Sequence, residues 1–179
     1  MSGHSKWSTI KHKKAATDAK RGQIFSKLSK AITIAAKEKG SAPETNPTLR
    51  DAIDRAKALN MPNDNIERAI QKGVGGGDEK LETVVFGAYG PGGVAIIMTG
   101  ITDNNNRTSN EIKHLLVKNN VKWASPGSVA WAFSRDGDVW TPQEYSMIEI
   151  DDEQKEKLAH VVEILDDHDD IQEIFTNEK

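Results

Sequence analysis

The chain has 179 residues, of which 36% are hydrophobic and 28% charged, and these proportions indicate a soluble globular protein of one ordinary domain or two small ones. It contains no cysteine, which excludes disulfides, thiolate catalysis and thiolate metal sites. No apolar run approaches the roughly 20 residues of a membrane-spanning helix, and the basic N-terminus is not followed by the apolar stretch of a secretory signal. We therefore expect a cytoplasmic protein with no membrane partner.

The small net charge of −3 conceals a strong separation of charge along the chain. Residues 1–40 carry ten Lys and Arg against two acidic residues, a net charge of +8. Residues 141–179 carry three Lys against thirteen acidic residues, a net charge of −10. A basic end of this kind suggests a polyanion as partner, and the acidic end could shield it. The alternative is that the two ends are solvated faces of opposite sign.

Apolar residues at helical spacing predict three short helices in the first part of the chain. The first helix covers about 18–38, with an apolar stripe on one face and a lysine stripe roughly 140° away. Asn46 and Pro47 predict the start of the second helix, and Pro62 that of the third. The third helix should end at Gly73, where a glycine-rich linker begins.

The second part of the chain mixes strand-like and helix-like patterns. Its predicted elements are strands at 83–88 and 94–101, a helix with the capping-box pattern Thr108–Glu111, strands at 129–133 and 147–150, a helix starting near Asp151 and a strand at 171–176. The almost continuously apolar strand at 94–101 should be buried on both faces.

These elements predict an α+β protein of two domains. Residues 1–77 should form a basic arm, a three-helix domain and a glycine-rich linker. Residues 78–179 should form an α/β lobe in which a mixed or antiparallel sheet carries helices on one side, because the element order is β-β-α-β-β-α-β.

No pattern in the chain is typical of a catalytic or metal site. The five histidines lack metal-ligand spacing, and the acidic run 166–170 lacks the glycine and terminal glutamate of a calcium loop, so we expect a solvated helix end there. The glycine runs 73–77 and 90–93 match neither a P-loop nor G-x-G-x-x-G. We therefore expect no enzyme activity, metal or cofactor. An enzyme that uses the glycine turns to bind a nucleotide is the alternative.

The strongest functional feature is the N-terminal arm together with the first helix. The candidate nucleic-acid-binding residues are His4, Lys6, Trp7, Lys11, His12, Lys13, Lys14, Lys20, Arg21, Lys27 and Lys30. The arm has few apolar residues with which to fold, so we expect it to be mobile when free. Lysines that neutralise phosphates release counterions but do not read base sequence. Trp7 could stack on an unpaired base, which favours RNA or a single strand, or it could dock onto its own domain.

Long collinear stretches of this sequence resemble the YebC/PmpR family, which includes the mitochondrial translational activator of cytochrome oxidase. The matching stretches are GHSKW (3–7), IKHKKAATDAKRGQIFSKL (10–28), NPTLRDAIDRAKALNMPNDNIERAI (46–70), YGPGGVAI (89–96), TDNNNRT (102–108), SVAW (128–131), SMI (146–148) and LDDHDDIQEIF (165–175). The resemblance implies a helical N-terminal domain and two α/β lobes, one inserted into the other. This chain passes from Trp140 almost directly to Ser146, so we expect the inserted third lobe to be absent between about 140 and 146.

The resemblance also implies a cytoplasmic regulator of gene expression. Members are described as DNA-binding transcriptional regulators, and others resemble ribosome-associated RNA-binding factors that relieve stalling at proline-rich sequence. The lysine-rich arm with Trp7 favours RNA on physical grounds, whereas the usual family description favours DNA. A different alternative is a protein-interaction module whose acidic C-terminal layer binds a basic partner such as a ribosomal protein. We predict a non-enzymatic nucleic-acid binder and leave the DNA or RNA target, the ribosome as a partner and the oligomeric state open.

Overall fold

The computed structural model describes residues 18–77 and 80–179, which contain six α-helices and six strands. The chain divides into two compact units, of which the first ends at Glu82 and the second covers Thr83–Lys179. The first is helical and the second combines helices with a sheet, so the predicted α+β class is confirmed. No helix within the described ranges is long and apolar enough to cross a bilayer.

Three helices build the first unit, as the apolar spacing predicts. They are α1 (Asp18–Lys39), α2 (Pro47–Ala58) and α3 (Asn63–Val74). Asn46 caps α2, because its Oδ1 accepts a hydrogen bond from the backbone N–H of Leu49 at 3.1 Å. Pro47 occupies the first helical turn, where its missing N–H would have had no helical partner.

The C-terminal half of α1 is more enclosed than a single apolar stripe predicts, because five successive residues, Ile32–Ala36, are all buried. The hydroxyl of Thr33 donates to the carbonyl of Ala69 on α3 at 3.0 Å. The side-chain amide of Asn46 donates to the carbonyl of Ala35 at 2.8 Å. Neighbouring segments therefore cover this part of the helix on several sides: the stripe residues Ile32, Ala35 and Ala36 lie in the core as predicted, and Thr33 and Ile34 are buried as well.

The predicted end of α3 at Gly73 is wrong by one residue, since the helix continues to Val74. Gly73 lies inside the last turn, where α3 approaches α1. A Cβ at this position would lie 2.4 Å from the carbonyl oxygen of Thr33 and 2.9 Å from the Cβ of Ala36. The glycine is needed here for helix packing and not as a helix stop.

The second unit is a four-stranded sheet with additional layers on both faces. Its elements are β1 (Glu82–Tyr89), β2 (Ala95–Thr102), α4 (Asn105–Lys118), β3 (Lys122–Ala124), α5 (Pro126–Val129), β4 (Phe133–Asp136), β5 (Val139–Pro142), α6 (Asp152–Asp166) and β6 (Ile171–Thr176). The strand order is β3-β1-β2-β6, and the pairs β1–β3 and β2–β6 are antiparallel. Strands β4 and β5 form a separate antiparallel hairpin.

Strand β2 separates two hydrophobic cores, because its side chains alternate between the faces of the sheet. Ile96 and Met98 pack into a core shared with α4 and α6. Ile97 packs into a second core that includes Val129 of α5 and Trp140 of the hairpin. The prediction that 94–101 is buried on both faces is therefore confirmed, and the two long helices lie on one side of the sheet.

The strand predicted at 129–133 is wrong over most of its length. The chain forms the short helix α5, then a 3-10 turn at Ala130–Ala132, and only at Phe133 does β4 begin. Pro126 at the start of α5 presets a helical φ angle, and this favours a turn over an extended chain. The strand predicted at 147–150 is also wrong, because only an isolated bridge between Ile148 and Glu178 forms there.

The predicted capping box at Thr108–Glu111 is wrong because α4 begins at Asn105, earlier in the chain. The cap is Asn104, whose Oδ1 accepts from the backbone N–H of Arg107 at 3.1 Å. Thr108 lies within the helix and is buried. The predicted helix start near Asp151 agrees with the structure, where Asp151 caps α6.

Candidate nucleic-acid interface

The structure places four of the eleven predicted nucleic-acid-binding residues, and all four lie on α1. They are Lys20, Arg21, Lys27 and Lys30. The other seven lie outside the described residues: His4, Lys6, Trp7, Lys11, His12, Lys13 and Lys14.

Helical geometry brings Lys20, Lys27 and Lys30 together on one side of α1, within an arc of about 80° at 100° per residue. Each of these three side chains is half-buried and has an interaction partner within the chain. Arg21 lies about 100° from Lys20 on the same wheel and is exposed. The structure therefore brings three of the four described candidate cations together in one row, whereas Arg21 lies on a different face of the helix, about 180° from Lys30.

Charge is divided between the two units of the chain. Residues 18–77 carry eleven basic and seven acidic side chains, a net charge of +4, whereas residues 80–179 carry nine basic and eighteen acidic side chains, a net charge of −9. Helix α1 alone has six basic and two acidic residues, so it accounts for the whole excess of its unit. Within residues 18–77 the excess of positive charge therefore lies on α1.

The glycine-rich run after α3 does not form a phosphate cradle. It lines a cleft of about 310 Å³ at the C-terminal ends of α1 and α3, together with Lys37 and Lys72. Helix C-termini present carbonyl oxygens and a partial negative charge, whereas phosphate sites use the N–H groups of helix N-termini. The two lysines are placed to offset that partial charge.

The other glycine run, Gly90–Gly93, contributes a 3-10 turn between β1 and β2. Gly92 has a φ angle of 69°, and a Cβ there would lie 2.5 Å from Cγ2 of Ile150. The chain itself fills the space above this turn. Neither glycine run has the geometry of a nucleotide site.

The sequence predicts that the acidic run 166–170 is a solvated helix end. This prediction is wrong for Asp170, which is buried. Oδ2 of Asp170 accepts from Nη2 of Arg107 at 2.8 Å and from Oγ1 of Thr108 at 2.7 Å. The hydrogen bond from Arg107 to Asp170 is the main cause of the raised pKa of Arg107. These contacts join α4 to the segment that leads into β6.

A possible cation site adjoins this pair, since ligand atoms of Glu111, His168 and Asp170 lie within 4.8 Å of one another. His168 Nε2 is 2.8 Å from Glu111 Oε2, and its Nδ1 accepts from the backbone N–H of Asp170 at 3.1 Å. Arg107 already contacts Asp170 and supplies a positive charge. Each of the three side chains therefore already has a hydrogen-bond partner within the protein.

Two aromatic side chains that the sequence did not single out as binding residues are exposed on the second unit. Trp131 is 51% exposed and Tyr145 is 72% exposed. The predicted strand would have placed Trp131 on the same face as the buried residues Val129 and Phe133, whereas the 3-10 turn directs it outward. The signal for that turn is the sequence Ser125-Pro126-Gly127, which is rich in turn-forming residues.

Family models match both units of the chain. Residues 5–76 match the TACO1/YebC protein N-terminal domain, and residues 81–147 match the TACO1/YebC second and third domain. The chain belongs to the TACO1/YebC family. The resemblance identified from the sequence is thereby confirmed, and ten of the eleven predicted site residues lie within the first matched range, with His4 just before it.

Relatives of this TACO1/YebC chain carry regulatory names. Proteins named "probable transcriptional regulatory protein" from Petrotoga mobilis and Halothermothrix orenii are each 48% identical to it, and the alignments cover 98% and 99% of this chain and 70% of each relative. One with the same name from Trichlorobacter lovleyi is 55% identical over 76% of this chain and 56% of its own length. The TACO1/YebC family is thus of a regulator type.

A solved structure shares the fold of this TACO1/YebC chain. The crystal structure of a conserved hypothetical protein from Aquifex aeolicus has a TM-score of 0.81 at 29% identity, over 90% of this chain and 91% of that chain.

The absence of an inserted lobe between about 140 and 146 stays a prediction. In the structure this part of the chain is occupied by the end of β5 and a 3-10 turn at Glu144–Ser146.

Proposed function

We propose that this chain is a nucleic-acid-binding regulator of gene expression, and that its basic arm and α1 bind the phosphate backbone. The observation that carries the proposal is the net charge of +4 on α1, since the remainder of residues 18–77 sums to zero. The arm before α1 adds four lysines and no acidic residue. One continuous stretch of chain therefore concentrates the charge that a polyanion requires.

The names of the relatives support transcription as the regulated process, and the polyanion of that process that we propose as the target is DNA. Lysine contacts to phosphates position a protein without reading bases, so the contribution of α1 and the arm should depend little on base sequence. The ribosome-associated role at proline-rich sequence has no support in these names.

The test is a binding titration of the full chain against a fluorescent DNA duplex at several salt concentrations. Changing Lys11, Lys13 and Lys14 together to Glu should weaken binding at least tenfold. It should also reduce the slope of log affinity against log salt by about 0.9 for each phosphate contact that is lost.

Two single variants make the test specific to the basic surface. Arg21→Glu on α1 should weaken binding in the same direction, whereas Lys118→Glu, an equal charge change at an exposed position of α4, should have a much smaller effect. Affinity that is unchanged in the triple arm variant, or that does not depend on salt, would contradict the proposal.

A further inference from the structure

The second unit presents an aromatic surface that we call the aromatic platform, formed by Tyr89, Trp131 and Tyr145. Trp131 is 51% exposed and Tyr145 is 72% exposed, and Tyr89 is half-buried beside Trp131. Trp131 Nε1 donates to Oη of Tyr89 at 3.1 Å, and the hydroxyl of Tyr145 donates to the carbonyl of Trp131 at 3.0 Å. Because these bonds already order the side chains, a partner that contacts the rings costs little further side-chain entropy.

The platform lies on the opposite side of the sheet from the acidic helix α6. Tyr89 and Ala132 pack with Ile97 into the core on one face of the sheet, whereas α6 packs on the other face. Residues 151–170, which contain α6, carry nine acidic and two basic side chains and so account for seven of the nine excess negative charges of residues 80–179. Residues 121–147 carry two basic and three acidic side chains. A second copy of the chain can therefore approach the platform without the repulsion that α6 would cause.

Opposite charges stand at the two ends of the platform. Lys122 is paired with Tyr89 in the ladder between β3 and β1, so the two side chains lie on the same face of the sheet. Glu144 lies at the other end, in the 3-10 turn that carries Tyr145. Both charged residues are exposed. Lys179 adds only an electrostatic interaction with Glu144, since its ion pair is with a different carboxylate. The platform therefore runs from a cation through three rings to an anion.

We propose that the aromatic platform is the interface of a homodimer with two-fold symmetry. In such an interface the same surface of each copy meets the other, turned by 180°. Lys122 of one copy then faces the partner's Glu144, Glu144 faces the partner's Lys122, and the rings pack between these two ion pairs. Tyr and Trp at the centre of a polar surface are typical of protein interfaces. The inference does not depend on the proposed function, because the platform supplies both halves of the contact.

The test measures self-association of the full chain by sedimentation equilibrium, without nucleic acid, over a wide range of protein concentrations. The wild type should show a reversible equilibrium between monomer and dimer with no larger species, since a two-fold interface is closed. Trp131→Ala and Tyr145→Ala should each weaken dimerisation by at least about 30-fold, because each substitution removes two rings from one interface. Val117→Ala, at a residue of α4 that is 72% exposed, is the control and should dimerise like the wild type.

Charge reversal at the two ends tests the two-fold geometry with the rings unchanged. Lys122→Glu and Glu144→Lys should each weaken dimerisation by at least about tenfold, because either change places like charges opposite each other twice. An equimolar mixture of the two variants should dimerise again, since one copy is then acidic at both ends and the other basic at both ends. Restored dimerisation also shows that both variants are folded. Lys118→Glu, at an exposed position of α4, is the matched control and should dimerise normally.

The outcomes are distinct from those of the proposed function, which is measured as salt-dependent binding to DNA. A wild-type chain that stays monomeric at every concentration overturns the inference, even if the platform variants lose binding to another protein or to nucleic acid. A dimer that tolerates both ring substitutions uses a different surface and overturns it as well. A mixture of the two charge variants that stays monomeric has the same consequence. None of these results changes the expectation for DNA binding.

Discussion

Asp170 is a buried carboxylate that joins two distant parts of the second unit. Its side chain is 5% exposed, and its partner Arg107 lies 63 positions earlier in the chain. Burial of a carboxylate is unfavourable unless hydrogen bonds replace the lost water, and here Arg107 and Thr108 supply them. This residue therefore contributes to stability through tertiary contacts.

Replacing Asp170 with Asn should destabilise the protein by about 1.5–3 kcal/mol, because two charge-assisted hydrogen bonds are weakened or lost. The free energy of unfolding can be measured by urea denaturation monitored by circular dichroism. Asp136→Asn, at an exposed position of β4, is the matched control and should change this free energy by less than about 0.5 kcal/mol. Equal stability of the two variants would show that the buried carboxylate contributes no more than a surface one.

At the scale of elements, the packing of α3 on α1 depends on a glycine whose role is not visible in the local sequence. Helix propensity alone predicts that Gly73→Ala stabilises α3 by up to about 1 kcal/mol. The tertiary structure predicts the opposite sign, since the added Cβ would lie 2.4 Å from the carbonyl oxygen of Thr33.

Gly73→Ala should destabilise the protein by about 1–3 kcal/mol, the usual effect of overpacking. Gly22→Ala provides the matched control, because Gly22 lies inside α1 and a Cβ there meets nothing within 4 Å. That control should stabilise the protein by up to about 1 kcal/mol. Thermal unfolding of the two variants would reveal the difference in sign, and stabilisation by both would contradict the close approach of the two helices.

The element patterns show where local sequence is sufficient. The helix starts after Asn46 and at Asp151 are correctly predicted, because a cap acts on N–H groups only two or three residues away. The strand at 129–133 and the capping box at Thr108 are not correctly predicted. At Thr108 the local pattern fits two helix starts, and the buried Asp170 beside it belongs to the structure that forms. At 129–133 the alternation of large and small side chains suggested a strand, although Ser125-Pro126-Gly127 just before it favours a turn.

At the scale of the whole molecule, the basic and acidic residues occupy different units, with +4 on residues 18–77 and −9 on residues 80–179. The acidic charge of the second unit is concentrated after β5, in and around α6. Such a distribution lets one unit attract a polyanion while the other repels it through space. The C-terminal segment cannot be deleted to test this, because β6 pairs with β2 and buries Ile171 and Phe175.

Neutralising two exposed acidic residues of α6, by Asp152→Asn with Glu156→Gln, should instead raise the affinity for a DNA duplex at low salt. The gain should disappear near 1 M salt, where the Debye length falls to about 3 Å. Titrations of the variant and the wild type at both salt concentrations provide the measurement. A gain that persists at high salt would point to a local structural change, and no gain at low salt would mean that the acidic surface does not influence binding.

The sequence by itself determined the three helices of the first unit, the central strand, the division of charge and the family. These features depend on residues within a few positions of one another, on total charge or on long collinear stretches. Only the tertiary structure decided that Asp170 is buried, that Gly73 is a packing position and that Trp131 points outward. The environments of Asp170 and Gly73 are set by partners that lie far away along the chain, and the direction of Trp131 depends on which of two locally acceptable conformations the chain adopts. The periodicity of a short segment encodes neither the distant partners nor the choice between the conformations.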